Sequence, residues 1–84
     1  MTDQEFDVLD ELYFVTPFEE LIEAVDLEEE EVFPVLKALL ENGWIKCYRD
    51  YSEELLPHEV NINRCYQEYS YLATKAGLLA HNGR

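Results

Sequence analysis

The segment from Leu21 to Ile45 constrains this chain more than any other, because helix, turn, stop and strand signals follow one another in it with little room between. Leu21, Ile22 and Val25 read as the buried side of a helix, and Asp26-Leu27 breaks the run with Leu27 placed to drop into the core. A second helix opens on Glu28-Glu29-Glu30-Glu31, whose carboxylates suit the positive end of a helix dipole at a few tenths of a kcal/mol each. Val32, Val35, Leu36, Leu39 and Leu40 recur at helical spacing and form its buried stripe. The outward face then carries Glu30, Glu31, Pro34, Lys37, Ala38 and Glu41. Pro34 removes a backbone donor inside that helix at a cost of about 3 kcal/mol, so a kink is expected there, or a helix that becomes regular only from Pro34. Asn42-Gly43 stops it, with Gly43 left-handed.

The flanking regions carry their own signals. Thr2-Asp3-Gln4-Glu5 has the form of a capping box. It predicts a first helix with Phe6, Val8, Leu9, Leu12 and Tyr13 on one side and Asp7, Asp10 and Glu11 on the other. Phe14 falls among the acids at helical pitch, so the helix is expected to have ended there and the ring to turn inward, the other choice being an exposed contact. Thr16-Pro17-Phe18-Glu19 reads as a second N-cap, with Thr16 capping and Pro17 at the first helical position.

Beyond Gly43, residues 44–51 alternate as a strand does. Residues 52–64 read as a long loop with a candidate helical turn at Ser52–Leu56. Cys65 to Leu72 is expected to return as a second strand, and Thr74 to cap a short last helix ending in a frayed tail from His81 to Arg84.

Composition decides what this frame can do. One domain is expected over residues 1–84, since so short a chain buries only about 60% of its unfolded surface and supports a single core. The formal net charge is −13. Its placement is lopsided: residues 1–36 hold thirteen of the nineteen acids and no Lys or Arg, whereas residues 37–84 hold six acids and all six bases. Such a field repels a phosphate backbone and attracts basic surfaces. No run approaches a membrane span and the N-terminus is acidic, so a cytoplasmic chain is expected. Cys47 and Cys65 are too few for a disulfide framework.

Three helices, a two-stranded wing at about residues 44–72 with its loop at 52–64, and a closing helix make an α+β chain that resembles the winged helix-turn-helix superfamily over roughly residues 4–80. Leu27 to Val32 with Leu36, Leu39, Leu40, Gly43, Trp44 and Ile45 is similar to that family's turn, recognition helix and wing entry. Tyr71-Leu72-Ala73-Thr74-Lys75-Ala76-Gly77-Leu78 resembles its strand-to-helix segment ending in Thr-x-x-Gly. The resemblance implies a third helix that enters the major groove and a wing that touches the DNA backbone.

The residues depart from that implication. A groove reader needs cationic or amide side chains on the outward face, and here Lys37 stands alone among Glu30, Glu31 and Glu41. The expectation is therefore a protein-interaction module or adaptor for a partner with a basic surface, or for self-association, with no nucleic acid, membrane, metal or cofactor and no catalysis. The contact candidates are Glu28, Glu30, Glu31, Lys37 and Glu41, with Tyr48, Arg49 and Tyr51 from the wing. The wing rings Trp44, Tyr48, Tyr51, Tyr66, Tyr69 and Tyr71 either pack on the helices or await a partner. Two rivals remain: a transcriptional regulator that binds DNA as a dimer, with the wing (Lys46, Arg49 and Arg64) and the termini supplying the few basic contacts, and an acidic decoy that imitates DNA.

Overall fold

The computed structural model describes residues 1–83. Helix α1 spans Asp3–Asp10 and starts on the expected reciprocal cap, with the Glu5 amide donating to Thr2 Oγ1 at 3.0 Å and the Thr2 amide to Glu5 Oε1 at 2.8 Å. Val8, Leu9 and Leu12 are fully buried. Phe14 is a correction: its ring stands 81% exposed instead of turning inward. The Thr16 hydroxyl shows why, because it donates to the carbonyls of Phe14 at 2.8 Å and Glu11 at 3.2 Å and so closes a loop that throws the intervening ring outward.

That use of Thr16 also cancels its expected capping role. Thr16–Pro17 form a short strand, β1, and helix α2 begins one residue later, spanning Phe18–Ala24 with Pro17 as its extended N-cap. The Phe18 amide donates to the Tyr69 carbonyl at 3.1 Å. The Pro17 nitrogen is thereby left on the outer edge, where a strand needs no donor. Phe18 and Leu21 are buried, while Ile22, Val25 and Leu27 lie half-buried against the core.

Helix α3 spans Glu29–Glu41 without a break. Regularity thus begins five residues before Pro34, helped by the Glu28 amide, which donates to Glu31 Oε1 at 3.1 Å. Its stripe is as expected: Val32, Val35, Leu36 and Leu39 are buried and Leu40 is half-buried. Gly43 has φ +73° and lets the Trp44 amide turn back to the Leu39 carbonyl at 2.9 Å. A residue with a side chain would be strained in that left-handed turn.

Strand β2 (Ile45–Tyr48) and strand β3 (Ser70–Ala73) are antiparallel, with Ile45 opposite Ala73 and Tyr48 opposite Ser70. β3 also pairs with β1, Thr16 opposite Tyr71, so the sheet has three strands in the order β1-β3-β2 instead of the two expected. Ile45, Cys47, Tyr71 and Ala73 are buried against the helices.

The connection from β2 to β3 is not an open wing loop. After β2 the chain makes a tight hairpin in which the Arg49 amide donates to the Glu53 carbonyl and the Leu55 amide to the Cys47 carbonyl, both at 2.9 Å. Helical structure is absent from Ser52–Leu56 and occurs instead as a 3-10 turn at Pro57–Glu59 and a short helix α4 at Ile62–Cys65. Cys65 and Tyr66 therefore do not belong to the returning strand, which begins only at Ser70.

Helix α5 spans Lys75–Asn82, capped by Thr74, whose Oγ1 accepts from the Gly77 amide at 3.0 Å. His81 is not in a frayed tail: it is buried, stacked on Phe6 at 4.1 Å and within hydrogen-bond distance of the Tyr13 hydroxyl at 2.9 Å. Arg84 lies outside the described residues. Among these residues no helix is long and apolar enough to cross a membrane.

Candidate functional site

Two features of the surface carry chemistry, and Glu41 at the end of α3 belongs to both. The first is the outward face of that helix. Glu30, Glu31, Pro34, Lys37 and Glu41 are all exposed, as is the N-cap residue Glu28, and Lys37 is the one base among them. Glu31 takes a hydrogen bond from Gln4 Nε2 at 3.2 Å, which joins this face to α1 and its own acids.

The N-terminal turn of α3 is partly covered. Tyr66, from the turn after α4, packs its ring on Phe33 at 4.6 Å and edge-on to Phe18 at 5.3 Å, and its hydroxyl donates to Glu29 Oε2 at 2.9 Å. Gln67 Nε2 donates to the same oxygen. The bond to Glu29 holds the Tyr66 phenol above its ordinary pKa, because ionisation would set two negative oxygens side by side. The connector thus lies over one end of the helix that a groove reader would have to present bare.

The wing candidates stand apart from this face. Tyr48 is half-buried with the Lys46 ammonium 5.9 Å from its ring centre. Arg49 is exposed and pairs with Glu53 at 3.5 Å. Tyr51 is 63% exposed and reaches across to Glu20 Oε1 at 3.4 Å. Among the described residues no ion pair or hydrogen bond joins these three to Glu28, Glu30, Glu31, Lys37 or Glu41. Of the six wing rings, Tyr69 and Tyr71 are core, Trp44, Tyr48 and Tyr66 are half-buried, and Tyr51 alone is open to water. The packed alternative therefore accounts for most of them.

The second feature was not legible in the sequence. A half-open groove of about 480 Å³ runs beside β2, walled by Leu40, Ile45, Cys47, Leu55, Val60 and Ile62, with Glu41 and Glu54 among its polar residues. Its size falls in the range of about 300–1,000 Å³ typical of ligand sites, and its lining is mostly apolar. Glu54 pairs with Lys46 at 3.0 Å, and this contact raises the Lys46 pKa. Glu41 has no ion pair among the described residues. Burial pushes the Cys47 thiol up to about 12, so it contributes a neutral apolar patch and no nucleophile. The signal that could have found the groove is the set Leu55, Val60 and Ile62, apolar residues without helical or strand period inside a stretch that otherwise reads as loop.

The remaining titratable candidates do not converge. His58 sits exposed in the 3-10 turn, and His81 is across the molecule between α1 and α5. Among the described residues no group of three or more His, Cys, Asp or Glu could hold a metal ion. Compared with known proteins, the sequence matches no family model and no curated protein, and no solved structure matches it either.

Proposed function

We propose that this chain is a protein-interaction module of winged-helix type that docks the basic surface of a partner protein and does not read duplex DNA. The observation that carries the reading is the exposed side of α3 and its N-cap, where Lys37 is the single base beside four exposed carboxylates, Glu28, Glu30, Glu31 and Glu41. Non-specific DNA affinity comes almost wholly from neutralised phosphates. A face with one cation forfeits that attraction, and its carboxylates replace it with repulsion.

Two further observations support the same reading. Helices α2 and α3 are joined by a turn of residues 25–28, the length found in helix-turn-helix pairs, and antiparallel β2 and β3 follow as a wing would. The Tyr66 contacts with Phe33 and Glu29, however, fold the connector onto α3 instead of leaving it free to straddle a duplex. The acidic first half then serves as a steering field for a cationic partner.

Fluorescence anisotropy with labelled random-sequence duplex DNA at low salt tests this directly. No binding is expected at micromolar protein. Binding that weakens steeply with added salt would overturn the reading and restore the dimeric gene regulator.

A further inference from the structure

The groove beside β2 exists because the returning chain leaves the strand early. The Leu55 amide still donates to the Cys47 carbonyl at 2.9 Å, but the Leu56 amide turns to Glu59 Oε1 at 2.8 Å and Pro57 opens the 3-10 turn. The connector comes back against the core only at Val60 and Ile62, both half-buried. A slot is left between it and the end of α3. Ile45, Cys47 and Leu55 close the floor at 3%, 1% and 4% exposed, and the half-buried Leu40, Val60 and Ile62 stand as the sides. At about 480 Å³ the slot is sized for a small molecule, which meets the side walls without displacing any part of the fold. A folded partner, needing about 800 Å² on each side, would rest mostly outside it.

The charges around the slot choose between small molecules. Two carboxylates, Glu41 and Glu54, and one ammonium, Lys46, line it, so negative charge is in excess. Lys46 is held by Glu54 at 3.0 Å, which leaves Glu41 as the uncompensated group, exposed and without an ion pair among the described residues. The net charge of −13 adds a long-range field of the same sign. An anionic guest is repelled at both ranges, a neutral guest gains apolar contact alone, and a cation gains contact and attraction together. Among the described residues no aromatic ring lines the slot, so a quaternary ammonium finds none of the ring faces that commonly hold such groups. A primary amine instead donates hydrogen bonds to the Glu41 carboxylate, and charge-assisted bonds are the stronger kind.

We propose that the groove binds a small primary amine with an apolar body, the body lying against Leu40, Val60 and Ile62 and the ammonium meeting Glu41. This goes beyond the basic-partner reading and does not depend on it.

The experiment is an NMR titration of the protein, methyl-labelled at Ile, Leu and Val, with three compounds that share one ring system: naphthylmethylamine, naphthylmethanol and naphthoic acid. Saturable shifts are expected at Leu40, Leu55, Val60 and Ile62. The amine should bind about threefold more tightly than the alcohol, the increment of an exposed ion pair, and the acid should bind most weakly of all. Trimethylation of the amine nitrogen should weaken binding, because it removes every N–H donor. In Glu41→Gln, an exposed substitution that leaves the apolar walls as they are, amine and alcohol should bind alike. The proposal is overturned by the lack of saturable shifts at these methyls, by shifts centred on the acidic faces of α1 and α2, or by an acid that binds as tightly as the amine. An amine preference that survives in Glu41→Gln, or equal affinity for the trimethylated compound, overturns it too. None of these results bears on DNA or on a protein partner, so this proposal and the proposed function fail separately.

Discussion

At Gly77 the nearest non-neighbour atom to an added Cβ would be the Trp44 carbonyl oxygen, at 2.0 Å, with the carbonyl carbon at 2.9 Å. Backbone cannot give way as a side-chain tip can, so Gly77→Ala must lift α5 from the entry to β2. A loss of about 3 kcal/mol is expected in urea denaturation. At Gly43 nothing crowds an added Cβ, and Gly43→Ala should cost only the left-handed strain of about 1–2 kcal/mol. The motif Thr-x-x-Gly was visible in the sequence, but its reason was not, because the Trp44 carbonyl reaches Gly77 only once the sheet has formed. Phe14 failed for a similar cause: the Thr16 hydroxyl, free to cap a helix on paper, is spent on the Phe14 and Glu11 carbonyls. Cys47 gives part of the alkaline pH dependence, with the buried Tyr71 phenol, also held above its ordinary pKa by burial, acting in the same direction. Burial raises the folded pKa of Cys47 to about 12 above an ordinary value of 9.0, so between these values the unfolded chain ionises and the folded chain does not. Stability is therefore fully present below pH 9 and is lost as pH rises above it. The denaturation midpoint should fall across that window, less so in Cys47→Ala.

Among the elements, α3 was the most legible and the connector the least. The stripe of α3 follows from local spacing, and its Gly43 stop from one residue's backbone freedom. The connector obeys contacts that follow no regular spacing: Tyr66 finds the distant Phe33 and Glu29, and nearer by, Tyr71 donates to the Tyr66 carbonyl at 2.6 Å and the Asn61 amide to the Tyr69 hydroxyl at 2.8 Å. No periodicity encodes such bonds. Tyr66→Ala should loosen this segment by about 3 kcal/mol or less, since the ring is half-buried, and should raise amide exchange through α4 while sparing α1. Pro34 offers the reverse case. It is exposed on an unbroken helix and is expected to cost up to about 3 kcal/mol there, so Pro34→Ala should raise the melting temperature.

For the whole molecule the dominant quantity is the charge of −13, concentrated on α1, α2 and the start of α3. Self-repulsion of this kind opposes compaction and is screened by salt. The urea midpoint should therefore rise as ionic strength goes from about 0.01 M to about 0.3 M, where the screening length shortens from about 30 Å to less than 10 Å. A midpoint indifferent to salt would mean that the acids are too well solvated to matter for stability. The position of β3 sets a different limit. It is the last strand made and the centre of the sheet, hydrogen-bonded on one side to β1 and on the other to β2. A nascent chain leaving the ribosome can wind its early helices and close the hairpin after β2, but β1 and β2 cannot join into one sheet until Ser70–Ala73 emerges. Folding must then be completed nearly all at once, after translation has passed that point, and a stalled or clipped product lacking β3 should be cleared by proteases instead of accumulating.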